Sequence, residues 1–206
     1  KVQKANVLRL LYFLVFCCTA SWLPVMADYC KNQGLTGSQT SLILSITPVM
    51  MFLVQPLYGL MADRLGYKKC LLVSSLFTSI SFLGYLYHGG FTWLIFVTLL
   101  MSLFYNTIQP VLDSLALQFS ERNPKFSYGT LRIAGAAGWA ITGIITGQVI
   151  DAINITAIFV ISSVSMLLVF IFAFLLQTDK KKKGSATENS FQNAVDVLKN
   201  PSLIFL

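Results

Sequence analysis

Of the 206 residues, 55% are hydrophobic and only 11% are charged, where a water-soluble domain carries about 25% charged residues. The mean hydropathy of +0.70 therefore predicts a chain built in a lipid bilayer and excludes a soluble core as its main construction. The net charge of +7 would suit nucleic acid if it were gathered on one basic domain. The basic residues instead lie in short segments between apolar runs, which excludes that partner.

A hydrocarbon layer of about 30 Å asks for roughly 20 apolar residues per helical span. Six runs meet that length, so the sequence predicts an all-α transmembrane bundle over 1–178 with spans near 7–27, 40–60, 70–88, 92–118, 130–150 and 155–177. Lys1, Lys4 and Arg9 precede the first span, but no small-residue cleavage site closes it, so it reads as a retained helix and not as a cleaved leader. Trp22 near its outer end fits either a membrane-interface belt or a cavity wall, and Tyr12 and Tyr105 fit a cavity, the core or the interface. Pro24, Pro48, Pro56 and Pro110 fall in or near spans and are expected to bend them. After the sixth span, 179–200 is a polar tract expected to be a linker with one candidate surface helix, FQNAVDVL. Residues 201–206 read as the start of a seventh span, which predicts a second six-helix half.

Counting Lys and Arg in alternate connections puts fourteen of the fifteen on one side and Lys31 alone on the other. The excess predicts a cytoplasmic N-terminus and linker, with 28–39, 89–91 and 151–154 facing outward. Cys17, Cys18, Cys30 and Cys70 have no CxxC spacing, and His88 is the only histidine. No metal site, cofactor or nucleophile–base set is expected, and hence no enzyme. Gly59-Leu-Met-Ala-Asp63 ends the second span and Gly147-Gln-Val-Ile-Asp151 ends the fifth on the opposite side. That echo suggests two inverted three-helix repeats.

The turn after the second span, YGLMADRLGYKK, has chemistry of its own. Gly59 permits close helix approach, and Gly66 suits a turn requiring positive φ. Asp63 can reach a backbone N–H cluster or a basic partner, while Arg64, Lys68 and Lys69 are placed to meet headgroups or acids across the bundle. A plain turn with basic anchors explains the same residues.

The fourth and fifth spans carry charge where none is cheap. Asp113 and Arg132 flank the polar turn SERNPK symmetrically, so two antiparallel helices leaving it would raise each about 14 Å above its centre, making a salt bridge feasible. An unpaired charge in lipid costs at least about 2.5–3.5 kcal/mol, so both are expected to face inward. Ser102, Asn106, Gln109 and Asp113 form a polar stripe, and Arg132, Gly135, Trp139, Thr142 and Thr146 form another. On adjoining helices the two stripes would make the wall of an aqueous cavity; alternatively, the charged pair simply locks the helices together. A carboxylate that accepts hydroxyls, a guanidinium fork and the flat face of Trp139 suit a sugar, or a nucleoside's ribose and base.

The spacing Gly59-x-x-x-Asp63-Arg64-x-Gly66-x-Lys68-Lys69 resembles the signature loop of the major facilitator superfamily. Together with LTGSQTSLI, VQPLYGLMADRLGYKKCLL and PVLDSLALQFSERNPKFSYGTLRIAGAAGW, it resembles the N-terminal half of the lactose permease family and its oligosaccharide/proton symporter relatives. Nucleoside and phenylpropionate permeases share much of the pattern. The resemblance implies a six-helix half with inverted repeats and proton-coupled uptake of a sugar by alternating access. It also implies that Asp113, Arg132 and Trp139 recognise the solute and that the Gly59–Lys69 loop acts as a gate. Asp113 departs from the family's Glu, which puts galactoside specificity in question, and the family's proton-coupling groups lie in later helices. A nucleoside or aromatic carboxylate symporter, or a receptor that kept the fold without transporting, are the alternatives.

Overall fold

The computed structural model describes residues 2–176, and at 57, 59, 60 and 63 the backbone alone. The predicted linker, its surface helix and the start of a seventh span therefore lie outside the described residues. Seven α-helices follow one another: α1 Val2–Trp22, α2 Met26–Asn32, α3 Gly37–Leu65, α4 Tyr67–Leu83, α5 Gly90–Arg122, α6 Tyr128–Ala152 and α7 Ala157–Ala173. A short 3-10 turn, Gly84–Leu86, follows α4.

Local chemistry sets the boundaries. Pro24 stops α1, because a proline disfavours the helical conformation in the residue before it. The chain then turns into α2, where a plain outer connection was expected. Thr36 and Gln39 form a reciprocal capping box at the start of α3. Ser127 accepts from the Thr130 N–H and starts α6. Gly66, at φ 93°, is the residue that separates α3 from α4, a conformation costly for any side chain with a Cβ. α3 runs on through Pro48 and Pro56, and α5 through Pro110.

Among the described residues, five helical stretches are long and apolar enough to cross a membrane: Val2–Asn32, Gly37–Pro56, Tyr67–Leu86, Gly90–Arg122 and Tyr128–Ala152. The sixth expected span forms a shorter helix. Its 17 residues rise about 26 Å, and tighter turns at Phe174, Leu175 and Leu176 carry the chain further.

The arrangement in space is an exchange between two triplets. α1 packs along α6 and α7, while α5 packs along α3 and α4; the middle helix of each triplet thus lies on the first helix of the other. α4 and α7 meet on the symmetry axis, where Ser79 Oγ donates to the Ser163 carbonyl at 2.8 Å and Ser163 Oγ returns a bond to the Ser79 carbonyl at 2.9 Å. Related hydroxyl pairs flank them: Ser21 with Ser162 at 2.6 Å and Thr107 with Ser74 at 2.7 Å. Such reciprocal contacts are what two inverted three-helix repeats require. They are also the polar glue used where lipid gives helices no hydrophobic reason to associate.

This exchange corrects one expectation. The fourth and fifth spans are neighbours in sequence, but α5 and α6 barely touch, and it is α1 that lies along α6. The glycines explain the partner. A Cβ at Gly138 would overlap the Phe13 carbonyl oxygen, and one at Gly135 would come within 2.8 Å of the Phe16 ring. A buried aromatic cluster closes the end away from the basic turns: Tyr85 stacks on Phe159 at 4.4 Å, and Tyr29 meets Phe159 edge-on at 4.6 Å. Trp22 sits within this cluster, buried edge-on against Tyr105 at 5.6 Å, so of its two readings the interface belt is set aside.

Candidate functional site

Three helices bring the charged residues together. Asp113 is half-buried on α5, and its Oδ1 accepts a 2.6 Å hydrogen bond from the hydroxyl of Tyr12 on α1. Arg132, half-buried on α6, donates through Nη1 to the Tyr128 hydroxyl one turn earlier at 2.7 Å. Its guanidinium also lies 5.8 Å from the centre of the Tyr128 ring. Among the described residues no ion pair within 4.0 Å joins the carboxylate to the guanidinium.

The salt bridge that looked feasible is thus replaced by a chain of phenols, for two reasons. Asp113 lies nine residues inside the end of α5 but Arg132 only four inside the start of α6, about 14 Å against about 6 Å. The five-residue turn between them is not helical, so symmetry in sequence does not give equal depth. Helical side chains also lean toward their own N-terminus. On antiparallel helices these two therefore lean apart, Arg132 toward Tyr128 and the basic end, Asp113 toward the far end.

The remaining predicted residues divide. Ser102 and Asn106 serve the α3–α5 contact: Ser102 and Thr47 share a 3.0 Å hydrogen bond, and Asn106 Nδ2 donates to the Thr47 carbonyl at 3.0 Å. Gln109 is half-buried on the Asp113 side of α5. On α6, Gly135, Thr142 and Thr146 are buried against the bundle, whereas Trp139 is 39% exposed. Trp139 follows Arg132 by seven residues, about 10 Å along the helix. Tyr105 shares a 2.6 Å hydrogen bond with Thr19, about two turns along α1 from Tyr12 and on the same face.

At the basic end, Gly66 makes the predicted turn, and Arg64 and Lys69 are exposed. The side chains of Gly59 and Asp63 lie outside the described residues. Among the described residues Lys68 meets no acid. Its Nζ donates to the carbonyls of Phe174, at 2.8 Å, and Leu176, because the last carbonyls of α7 lack intrahelical partners and carry the negative end of the helix dipole. Next to this loop, a cavity of about 220 Å³ is lined by Gln55, Tyr58, Tyr67, Thr107 and Ser114 among others. None of the residues predicted to grip a solute lines it.

A bundle of inverted repeats with a half-buried carboxylate, guanidinium and phenols on three helices defines a membrane-embedded domain of the transporter kind. Residues 6–206 match the MFS_1 like family. The chain belongs to that family, part of the major facilitator superfamily of membrane transporters, and is accordingly not an enzyme. The relatives it is similar to include an uncharacterized transporter, YwbF, of Bacillus subtilis (strain 168), 33% identical over 67% of this chain and 35% of the relative. A maltose permease of Geobacillus stearothermophilus is 29% identical over 80% of this chain and 42% of the permease. A probable 3-phenylpropionic acid transporter of Escherichia coli (strain K12) is 27% identical over 85% and 47%. The chain thus spans less than half the length of each of these relatives.

Proposed function

We propose that this chain is the solute-gripping half of a secondary active transporter that takes up a sugar or oligosaccharide with a proton by alternating access. The observation that carries the reading is the cluster Asp113, Tyr12, Tyr128 and Arg132, a carboxylate and a guanidinium half-buried among hydroxyls. A neutral polyol suits it: its hydroxyls donate to Asp113 and accept from Arg132, while Trp139 offers an apolar face for a sugar ring. Gln109 extends the wall, and Asn106 orders it by tying α5 to α3. An anionic solute would satisfy Arg132 but be repelled by Asp113. The similarity to a maltose permease supports the sugar reading, and proton coupling follows the family resemblance.

In this reading the bundle sits in the plasma membrane with its N-terminus in the cytoplasm and rocks against a second six-helix unit. The loop carrying Gly59, Asp63, Arg64, Gly66, Lys68 and Lys69 steadies closure on the cytoplasmic side. The test uses vesicles containing the full-length protein and labelled maltose, sucrose, raffinose, uridine and 3-phenylpropionate, with and without an imposed inward-acid pH gradient. Gradient-driven accumulation of a sugar is expected. Uptake of uridine or 3-phenylpropionate alone would move the substrate class, and accumulation of none would favour a receptor that kept the fold.

A further inference from the structure

The cavity of about 220 Å³ beside the Gly66 turn has no part in gripping the solute. Its place around α5 follows from the roughly 100° that a helix turns per residue. Ser102 and Asn106, which meet α3, lie within about 20° of Asp113 around the helix. Tyr105, which meets α1, is turned about 80° one way. Pro110, Ser114, Thr107 and Val111, which line the cavity, are turned about 60° to 160° the other way. On that side Thr107 bonds to Ser74, and Phe104 stacks on Phe77, both on α4. The cavity therefore opens between α3 and α4, on the outer flank of the bundle and not toward Asp113. Phe77, Phe96, Leu100 and Leu117 are exposed along this flank, a surface as apolar as the lipid tails it would meet.

The lining is not purely apolar. The hydroxyls of Thr107 and Ser114 are already bonded, to Ser74 and to the Pro110 carbonyl. Gln55 and Tyr58, both half-buried, make no hydrogen bond among the described residues. Two such donors on a lipid-facing wall are costly unless an acceptor meets them, and acyl chains offer none. At the basic end the cavity reaches Ala62 and Tyr67, each two residues from an exposed cation, Arg64 and Lys69. These two outnumber Glu121, the exposed acid near the end of α5. The volume is below the roughly 300–1,000 Å³ of sites that enclose a small ligand, so the crevice suits one part of a larger molecule.

We propose that this crevice binds one anionic phospholipid from the leaflet at the basic end. The Gln55 amide and the Tyr58 hydroxyl donate to the ester carbonyls, Arg64 and Lys69 meet the phosphate, and an acyl chain follows the flank toward Leu100 and Phe96. The site does not depend on which solute the transporter carries.

The test titrates the full-length protein in mild detergent with dioleoyl phosphatidylglycerol or dioleoyl phosphatidylcholine and counts bound lipids by native mass spectrometry. The unmodified protein is expected to hold one phosphatidylglycerol about ten-fold or more tighter than phosphatidylcholine, because each nearby cation contributes about five-fold. Gln55→Leu combined with Tyr58→Phe should weaken that binding about five- to ten-fold, the scale of one or two hydrogen bonds. Arg64→Gln combined with Lys69→Gln should remove the preference for phosphatidylglycerol. Lys125→Gln, at an exposed position of the same end but outside the crevice, should change binding by less than about two-fold. Undiminished binding by the Gln55→Leu, Tyr58→Phe protein, or equal weakening by Lys125→Gln, would mean a diffuse attraction to the basic end and overturns the site. Equal binding of the two lipids by the unmodified protein overturns it as well. If the Gln55→Leu, Tyr58→Phe protein does not fold, the Arg64→Gln, Lys69→Gln protein decides alone, since both positions are exposed, and a surviving preference overturns the site.

Discussion

A carboxylate inside a helix bundle is costly unless hydrogen bonds offset its lost hydration, and at Asp113 that bond comes from Tyr12. Asp113→Asn separates the charge from the shape. The amide oxygen still accepts from Tyr12, so folding should survive, but the attraction to Arg132 and the strong acceptor for solute hydroxyls are lost. Uptake is expected to fall about 10- to 100-fold, the scale of one charged hydrogen bond, with protein yield and melting temperature in detergent little changed. Uptake above half the unmodified level would return Asp113 to a packing role. Asp113 and Arg132 were legible in the sequence because charge inside apolar runs is conspicuous. Tyr12 was legible only as an aromatic that could reach a cavity or sit in the core or at the interface; its bond to Asp113 was not, since it spans 101 positions. Tyr128 had a signal that went unread, because it precedes Arg132 by four residues, the spacing at which helical side chains meet.

At the scale of helices, hydrophobic run length located the spans to within a few residues, and positive φ at Gly66 was readable from the turn. Which helix meets which was not legible, because periodicity identifies a polar face but not its partner. The glycines of α6 show the limit: Gly135, Gly138, Gly143 and Gly147 are alike in sequence but have two fates. Gly135 and Gly138 admit α1, whereas nothing stands within 4 Å of a Cβ placed at Gly143 or Gly147. Gly138→Ala must push against the backbone of Phe13 and is expected to destabilise the bundle by about 1–3 kcal/mol. Gly147→Ala should leave stability unchanged or slightly improved. Thermal unfolding in detergent separates the two, and equal melting temperatures would show that α1 does not sit against Gly138. The Thr107–Ser74 hydroxyl pair, which joins α5 to α4, allows a second measurement between the repeats. A double-mutant cycle of Thr107→Ala and Ser74→Ala should give a coupling of about 0.6 kcal/mol, the mean for hydrogen bonds between membrane helices, and below about 1.7 kcal/mol.

Across the whole molecule, burial follows the inverted repeats and charge does not. α3 and α6, the middle helices of the two triplets, are the least covered of the five long spans. Phe52 on α3 is 82% exposed and Ile133 on α6 71%. Inverted symmetry makes these two faces equivalent, so both are available to lipid or to a second unit. Charge breaks the symmetry. Lys4, Arg9, Arg64, Lys69 and Lys125 lie at the end where α1 begins and α3 and α5 finish, while the opposite end has Lys31 paired with Asp28 at 3.9 Å, and Asp151. Membrane insertion responds to such a difference, which is why the proposed orientation puts the basic end in the cytoplasm. Single cysteines test this with little background, because Cys17, Cys18, Cys30 and Cys70 are all buried. In intact cells a membrane-impermeant maleimide is expected to label Asp28→Cys and Asp151→Cys, both at exposed positions. Lys69→Cys and Lys125→Cys, equally exposed in the bundle, should react only after the membrane is opened. Labelling in the reverse order would invert the molecule, move the gate-like loop to the outer surface, and require the closure assigned to Asp63 and its neighbours to act on the opposite side.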